Sequence, residues 1–191
     1  MSSKECFIKS IQLNPSNSLY WRALGDALNN NDIIDVLNLQ HTKRACYLNS
    51  IDLNPSDAIT WNHLAQSMQN NDDVVKINGS LMNRIECQVK AISLDKSLPK
   101  SWINLGRIMD ENQSVLIGDE FYTGRGCYIK AIELDENIFE AWNNLSAMLL
   151  PGDTVKINGE VFSEKECYLK ALKLDLKNED VLQNIRHLPW I

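Results

Sequence analysis

"VKINGEVFSEKECYLKAL", residues 155–172, changes period in its middle. Apolar Val155 and Ile157 alternate with polar residues up to Asn158-Gly159, and Val161 follows. An Asn-Gly pair between alternating apolar residues signals a β-hairpin, because both central residues of a type I′ turn need positive φ. Pairing across the turn puts Val155, Ile157 and Phe162 on one face, with Glu160 near the tip and Lys156 and Val161 on the other. From Ser163 onward the pattern is helical. Ser163 is a good N-cap, and Glu166 three residues later completes a capping box. Cys167 is then the fourth helical residue, and Phe162 stands where a hydrophobic staple packs against it.

The same order recurs along the chain. Cysteines stand at 6, 46, 87, 127 and 167, and tryptophans at 21, 61, 102 and 142, with Leu182 one beat further. A fixed period near 40 residues marks a solenoid, in which each unit buries its apolar face only by stacking on its neighbours. One repeat domain over residues 1–191 is predicted, with repeats starting near 2, 42, 83, 123 and 163.

Each tryptophan begins a helical phrase, "WRALGDAL", "WNHLAQSM", "WINLGRIM" or "WNNLSAML", with apolar residues at steps of three and four. This is helix A. Gly25, Ala65, Gly106 and Ser146 follow the leucine and leave a notch where another helix can approach. The cysteine phrase is helix B, "ECFIKSIQLNP" in the first copy and "ECYLKALKLDL" in the last. Its N-caps are Ser2, Thr42, Asn83, Thr123 and Ser163, with capping-box glutamates Glu5, Glu86 and Glu166. Pro15 and Pro55 stop it. Hairpins are predicted between helix A and helix B at "VVKINGSLM", "SVLIGDEFY" and "TVKINGEVF". The first repeat offers Leu37-Asn38 at the turn and no glycine. Two strands spaced about 4.8 Å match one step of a helical stack in width, so neighbouring hairpins have room to join into a ribbon.

Composition narrows the function classes. The net charge of −6 is spread along the chain without a basic block, which argues against nucleic acid as partner. No apolar run approaches the roughly 20 residues of a membrane span, and the first ten residues lack a secretory apolar stretch. A cytoplasmic protein with no membrane partner is the expectation. His41, His63 and His187 lie far apart, and neither paired carboxylates nor a phosphate-binding glycine loop is visible, so no catalytic residue, metal ligand or cofactor is assigned. Five cysteines in one register suggest metal or redox chemistry at first sight. Equivalent positions of stacked helices lie roughly 10 Å apart, however, whereas disulfides need Cα separations below about 7 Å. Reduced, buried packing cysteines fit better.

The Trp-x2-Leu-Gly phrase, the helix B aromatics Phe7, Tyr47, Tyr128 and Tyr168, the small residue three further on and the closing proline resemble the tetratricopeptide repeat (TPR) superfamily. The resemblance covers nearly the whole chain and implies a mainly α, right-handed α-solenoid of TPR-like helix pairs, here with short β-hairpin insertions. TPR units have 34 residues; the hairpin accounts for the excess. The TPR alanine four residues before the helix B aromatic is replaced by Ser3, Lys43, Arg84, Gly124 and Glu164.

TPR arrays usually hold a peptide or protein segment along a concave face of helix A. The resemblance therefore points to residues between Trp and Leu and one turn on: Arg22, Asp26, Asn62, Gln66, Asn104, Arg107, Asn143, Asn144 and Asn184. Asn104, Asn144 and Asn184 share one register, like the asparagine ladder with which some TPR proteins grip a ligand backbone. Asparagine is frequent throughout this sequence, so an idle exposed residue explains the row equally well. The carboxylate clamp for chaperone tails is not matched, since its first pair reads Arg22 and Asp26. Ten helices are expected, from about 3–14 to about 179–187. Apolar Phe7, Ile8 and Ile11 at one end, and Trp190 and Ile191 at the other, make end-to-end self-association a further expectation. A non-catalytic binding scaffold leads the expected functions; a structural spacer or regulatory array within a larger protein is the alternative.

Overall fold

Capping residues set the helix boundaries. The computed structural model describes residues 2–175, and the five helix B segments, each 11 residues long, begin right after the expected caps. They are α1 (Ser3–Leu13), α3 (Lys43–Leu53), α5 (Arg84–Leu94), α7 (Gly124–Leu134) and α9 (Glu164–Leu174). In each, the cap side chain accepts the backbone N–H three residues on, and Glu5, Glu86 and Glu166 close full capping boxes. Helix A appears as α2 (Ser18–Ala27), α4 (Ala58–Ser67), α6 (Pro99–Ile108) and α8 (Phe139–Ala147). Asn17 and Asp57 cap α2 and α4, whereas Pro99 opens α6, with its fixed φ preset for a first turn. The expected helix at about 179–187, with Leu182, Asn184, Trp190 and Ile191, lies outside the described residues.

Between the helices run four antiparallel hairpins: β1–β2 (Ile33–Val36, Leu39–Thr42), β3–β4 (Val74–Ile77, Ser80–Asn83), β5–β6 (Ser114–Ile117, Glu120–Thr123) and β7–β8 (Thr154–Ile157, Glu160–Ser163). Register follows the sequence pattern, Val155 facing Phe162 and Lys156 facing Val161. Val155, Ile157 and Phe162 are buried while Val161 is exposed. The glycine-free turn of the first repeat forms as well, with Leu37 at φ 54° and Asn38 at φ 64°. One expectation fails: each hairpin is a two-stranded sheet of its own, and no backbone hydrogen bond joins one hairpin to the next among the described residues. The reason is visible in the pleat. Val36, Ile77, Ile117 and Ile157 each turn inward and are nearly inaccessible, so every hairpin is pinned to the helices of its own module.

The fold is thus mainly helical with small antiparallel hairpins. It divides between Asp95 and Lys96 into two compact units. In the first, α2 packs on α3 and α4 on α5, with α1 against α2 and α3 against α4. One core cluster joins Ile11, Trp21, Leu24, Leu28, Val36 and Cys46; another joins Tyr47, Trp61, Leu64, Met68, Ile77 and Cys87. In the second unit, α6 packs on α7 and α8 on α9, around buried Trp102, Leu105, Cys127, Trp142, Leu145 and Cys167.

A repeated bond fixes each of the four tryptophans among the described residues. The indole Nε1–H donates to the carbonyl six residues earlier: Trp21 to Pro15 at 2.9 Å, Trp61 to Pro55 at 2.9 Å, Trp102 to Lys96 at 2.9 Å and Trp142 to Glu136 at 2.8 Å. It satisfies a carbonyl in the turn where helix B ends and helix A begins. The ring meanwhile meets the residue before the helix B cap: His41 on Trp21, Tyr122 on Trp102 and Phe162 on Trp142, with centroids 4.7–5.1 Å apart.

All five cysteines are free, and Cys46, Cys87, Cys127 and Cys167 are buried. Burial pushes these four thiols up to about 12, so they stay protonated and unreactive near neutral pH.

Candidate functional site

Among the described residues, the expected binding positions lie on helix A, most of them where the helical period carries side chains away from Trp and Leu. Their fates differ. Arg22 on α2 reaches Asp57, the cap of α4, at 2.6 Å; Asp57 also accepts the Ile59 N–H at 3.1 Å and the Thr60 hydroxyl at 2.7 Å. Arg22 is thereby a tie between successive A helices. Asn62 is buried, and its Oδ1 accepts Gln88 Nε2–H from α5 at 2.9 Å. Gln88 occupies the column that elsewhere holds Phe7, Tyr47, Tyr128 and Tyr168, so this polar pair replaces a tyrosine contact.

Asp26 and Gln66 share one pocket. It has a volume of about 260 Å³ and is completed by Asn30, Lys43, Tyr47, His63 and Ser67. The Tyr47 hydroxyl donates to Asp26 Oδ1 at 2.9 Å, and His63 Nδ1 lies 2.7 Å from the same oxygen, off the line of a straight hydrogen bond. Burial raises the Asp26 carboxyl, but His63 and Tyr47 outweigh it and hold the group below the usual aspartate range. Burial, joined by the Asp26 carboxylate, in turn pushes the Tyr47 phenol well above its ordinary value. Lys43 closes another side, donating to the Leu28 carbonyl at 3.0 Å. The pocket thus combines one anion, one cation, two carboxamides and an imidazole.

In the second unit, Asn104 Oδ1 accepts from exposed Arg107 Nη2 at 3.2 Å. Asn143 Nδ2 donates to Asn144 Oδ1 at 3.5 Å, while Asn143 Oδ1 is buried with no hydrogen-bonding partner. Asn144 also hydrogen-bonds the Tyr128 phenol. Asn184 lies outside the described residues. Asp26 with Gln66, Asn104 with Arg107, and Asn143 with Asn144 are therefore brought together, whereas Arg22 and Asn62 are spent on internal bonds. Sequence reasoning placed His63 between Trp and Leu on helix A but missed Lys43 and Tyr47 as pocket walls. Lys43 carried a signal: it stands where the resemblance implied alanine, and a long amine there must reach past the neighbouring helix end.

His41 gives a pH prediction. Burial against Trp21 pulls its pKa below the ordinary 6.5, only partly offset by its bond to the Val36 backbone, and Nδ1 lies 3.3 Å from Asn49 Nδ2. The unfolded chain binds this proton more readily, so the stability due to neutral His41 is intact above pH 6.5 and lost as pH falls through the folded value. Asp26, Asp73 and Glu166 are held below their ordinary values, so their contributions persist until more acid conditions. Melting temperatures should hold from pH 8 to about 7 and then fall in two stages. His41→Phe, the residue of the fourth repeat, should remove the first stage; an unchanged profile would contradict the assignment.

Among the described residues no three His, Cys, Asp or Glu side chains are placed to share a metal ion, and no helix is long and apolar enough to cross a membrane. The sequence matches no family model and no curated protein, so the site is read from its own residues.

Proposed function

We propose that this chain is a TPR-like α-solenoid of the cytoplasm that serves as a non-catalytic scaffold, holding an extended peptide segment against the polar face of helix A. The pocket joining Asp26, Lys43, His63 and Gln66 carries this reading. Extended peptide offers alternating N–H and C=O groups, and a concave site with mixed donors and acceptors pairs with them without demanding one side chain. Within the second unit, Asn104, Asn143 and Asn144 offer the same chemistry on α6 and α8. Five free thiols suit a reducing compartment.

A structural spacer is the second reading, favoured by a recurring cation–aspartate tie. Lys4 pairs with Asp32 at 2.5 Å, Arg44 with Asp73 at 2.5 Å and Arg125 with Asp153 at 3.0 Å, each linking helix B to the loop after the next helix A. Selection of a random peptide display library on the purified protein separates the two. A binding scaffold should yield peptides whose affinity falls about tenfold or more in Gln66→Ala or in Asn144→Ala, each with an unchanged melt. Recovery of no specific peptide would favour the spacer, and peptides indifferent to both substitutions would overturn the helix A assignment.

A further inference from the structure

Four copies of one module, counted from a helix A through its hairpin to the helix B that follows, let each repeat serve as a control for the others. Just after the hairpin turn, and on the helix B that follows, three repeats carry polar residues. After the turn come Ser80, Glu120 and Glu160, and helix B supplies Lys90, Lys130 and Lys170. In the fourth repeat the Lys170 ammonium lies 5.6 Å from the Trp142 ring and 5.4 Å from the Phe162 ring, over both aromatic faces.

The first repeat departs from this at every position. Leu39 replaces Ser or Glu, Asn49 replaces lysine, and Leu37-Asn38 replaces the turn pair that elsewhere contains glycine. Leu37 sits at φ 54°, a left-handed conformation that is strained for an L-residue with a Cβ. A pocket of about 300 Å³ results, walled by Pro15, Trp21, Leu37, Leu39 and Leu53. Leu37, Leu39 and Leu53 are 42%, 64% and 43% exposed, so the apolar wall opens to solvent. His41 completes the wall, its Nδ1 lying 3.3 Å from Asn49 Nδ2. At the rim stands Asp52, exposed and without an ion-pair partner among the described residues. The repeat has exchanged a cation for an apolar cavity with one free carboxylate beside it. That charge pattern favours a cationic neighbour next to an apolar anchor and disfavours an acidic one.

We propose that the first repeat carries a second docking site, separate from the helix A pocket, in which this cavity takes one leucine-sized side chain of a peptide partner while Asp52 meets an adjacent lysine or arginine. The site does not depend on the helix A reading. The probe is an N-acetylated, C-amidated decapeptide with one leucine between two lysines in a Gly/Ser background, titrated into the full ¹⁵N-labelled chain. Saturable shifts are expected at the Trp21 indole N–H and at the amides of residues 37–41 and 53. Replacing the peptide leucine by alanine should weaken binding about tenfold or more, and replacing its lysines by glutamate a few-fold.

Folding is controlled by writing the fourth repeat into the first, as Leu37→Asn, Asn38→Gly, Leu39→Glu and Asn49→Lys together. This variant should melt no lower than the parent, because Leu37 no longer holds a left-handed φ, yet lose the shifts. Absence of saturable shifts, retention of them in that variant, or indifference to the peptide's charges would overturn the proposal. Equal response to leucinamide alone would replace the peptide by a small apolar ligand. Gln66→Ala should leave the titration unchanged; loss of binding there would move the peptide to the helix A pocket and refute the second site.

Discussion

Trp102→Ala is expected to lower the unfolding free energy by about 3–5 kcal/mol, the range for truncating a large aromatic in a packed interior. Its side chain is fully inaccessible, its ring meets Tyr122 at 4.7 Å, and its N–H satisfies the Lys96 carbonyl at 2.9 Å. Alanine removes all three contacts at once. Trp102→Phe separates them, keeping most of the apolar area while leaving the carbonyl to water or to nothing, and should cost about 1–3 kcal/mol. For a chain of this size each kcal/mol moves the midpoint by roughly 2–4 °C, so the alanine variant should melt on the order of 10 °C lower. Thermal melts followed by near-ultraviolet circular dichroism report this directly. Phe121, 74% exposed on the outer hairpin face, is the control, and its alanine variant should stay within about 0.5 kcal/mol of the parent. Comparable losses at both positions would mean that the tryptophan column does not hold the module together.

What could be read from the residues alone was what is decided within four residues. The caps Ser2, Thr42, Asn83, Thr123 and Ser163 and the three boxes are short-range hydrogen bonds, and the hairpin registers follow from the turn and the pleat. Even the glycine-free turn at Leu37-Asn38 closes, because flanking alternation fixes the register that the turn must serve. Contacts set by neighbouring helices were not legible. The indoles of Trp21, Trp61, Trp102 and Trp142 look purely apolar in sequence, yet each has a dedicated carbonyl. Arg22 and Asn62 look like groove residues, yet Asp57 and Gln88 consume them, and nothing in a helical period says what lies across the crossing. The hairpin ribbon failed for a related reason: matching widths permit edge pairing, but inward burial of Val36, Ile77, Ile117 and Ile157 commits each hairpin to its own helices.

The small-residue notch of helix A yields the second large prediction. A Cβ at Gly25 would lie 2.6 Å from Tyr47 Cε1 and 2.8 Å from Cδ1. That ring is 2% exposed and held through its hydroxyl by Asp26, so it has nowhere to retreat. Gly25→Ala should therefore cost about 1–3 kcal/mol by overpacking. Tyr47→Gln alone should cost about 2–4 kcal/mol through lost burial. The second repeat already carries the combination, Ala65 on helix A with Gln88 in the tyrosine column. The double variant should consequently be less destabilised than the sum of the two singles by about 1 kcal/mol or more in urea unfolding. Gly106 supplies the contrast. There a Cβ would stand 3.0 Å from both the Tyr128 ring and the backbone oxygen of Gly124, and a backbone oxygen cannot be mutated away. Gly106→Ala should resist rescue by Tyr128→Gln, which relieves only one of the two obstacles. Additive costs at the Gly25 pair would mean that the ring is not what glycine makes room for. Coupling at Gly25 without coupling at Gly106 would separate a notch shaped for a side chain from a crossing at which two backbones touch.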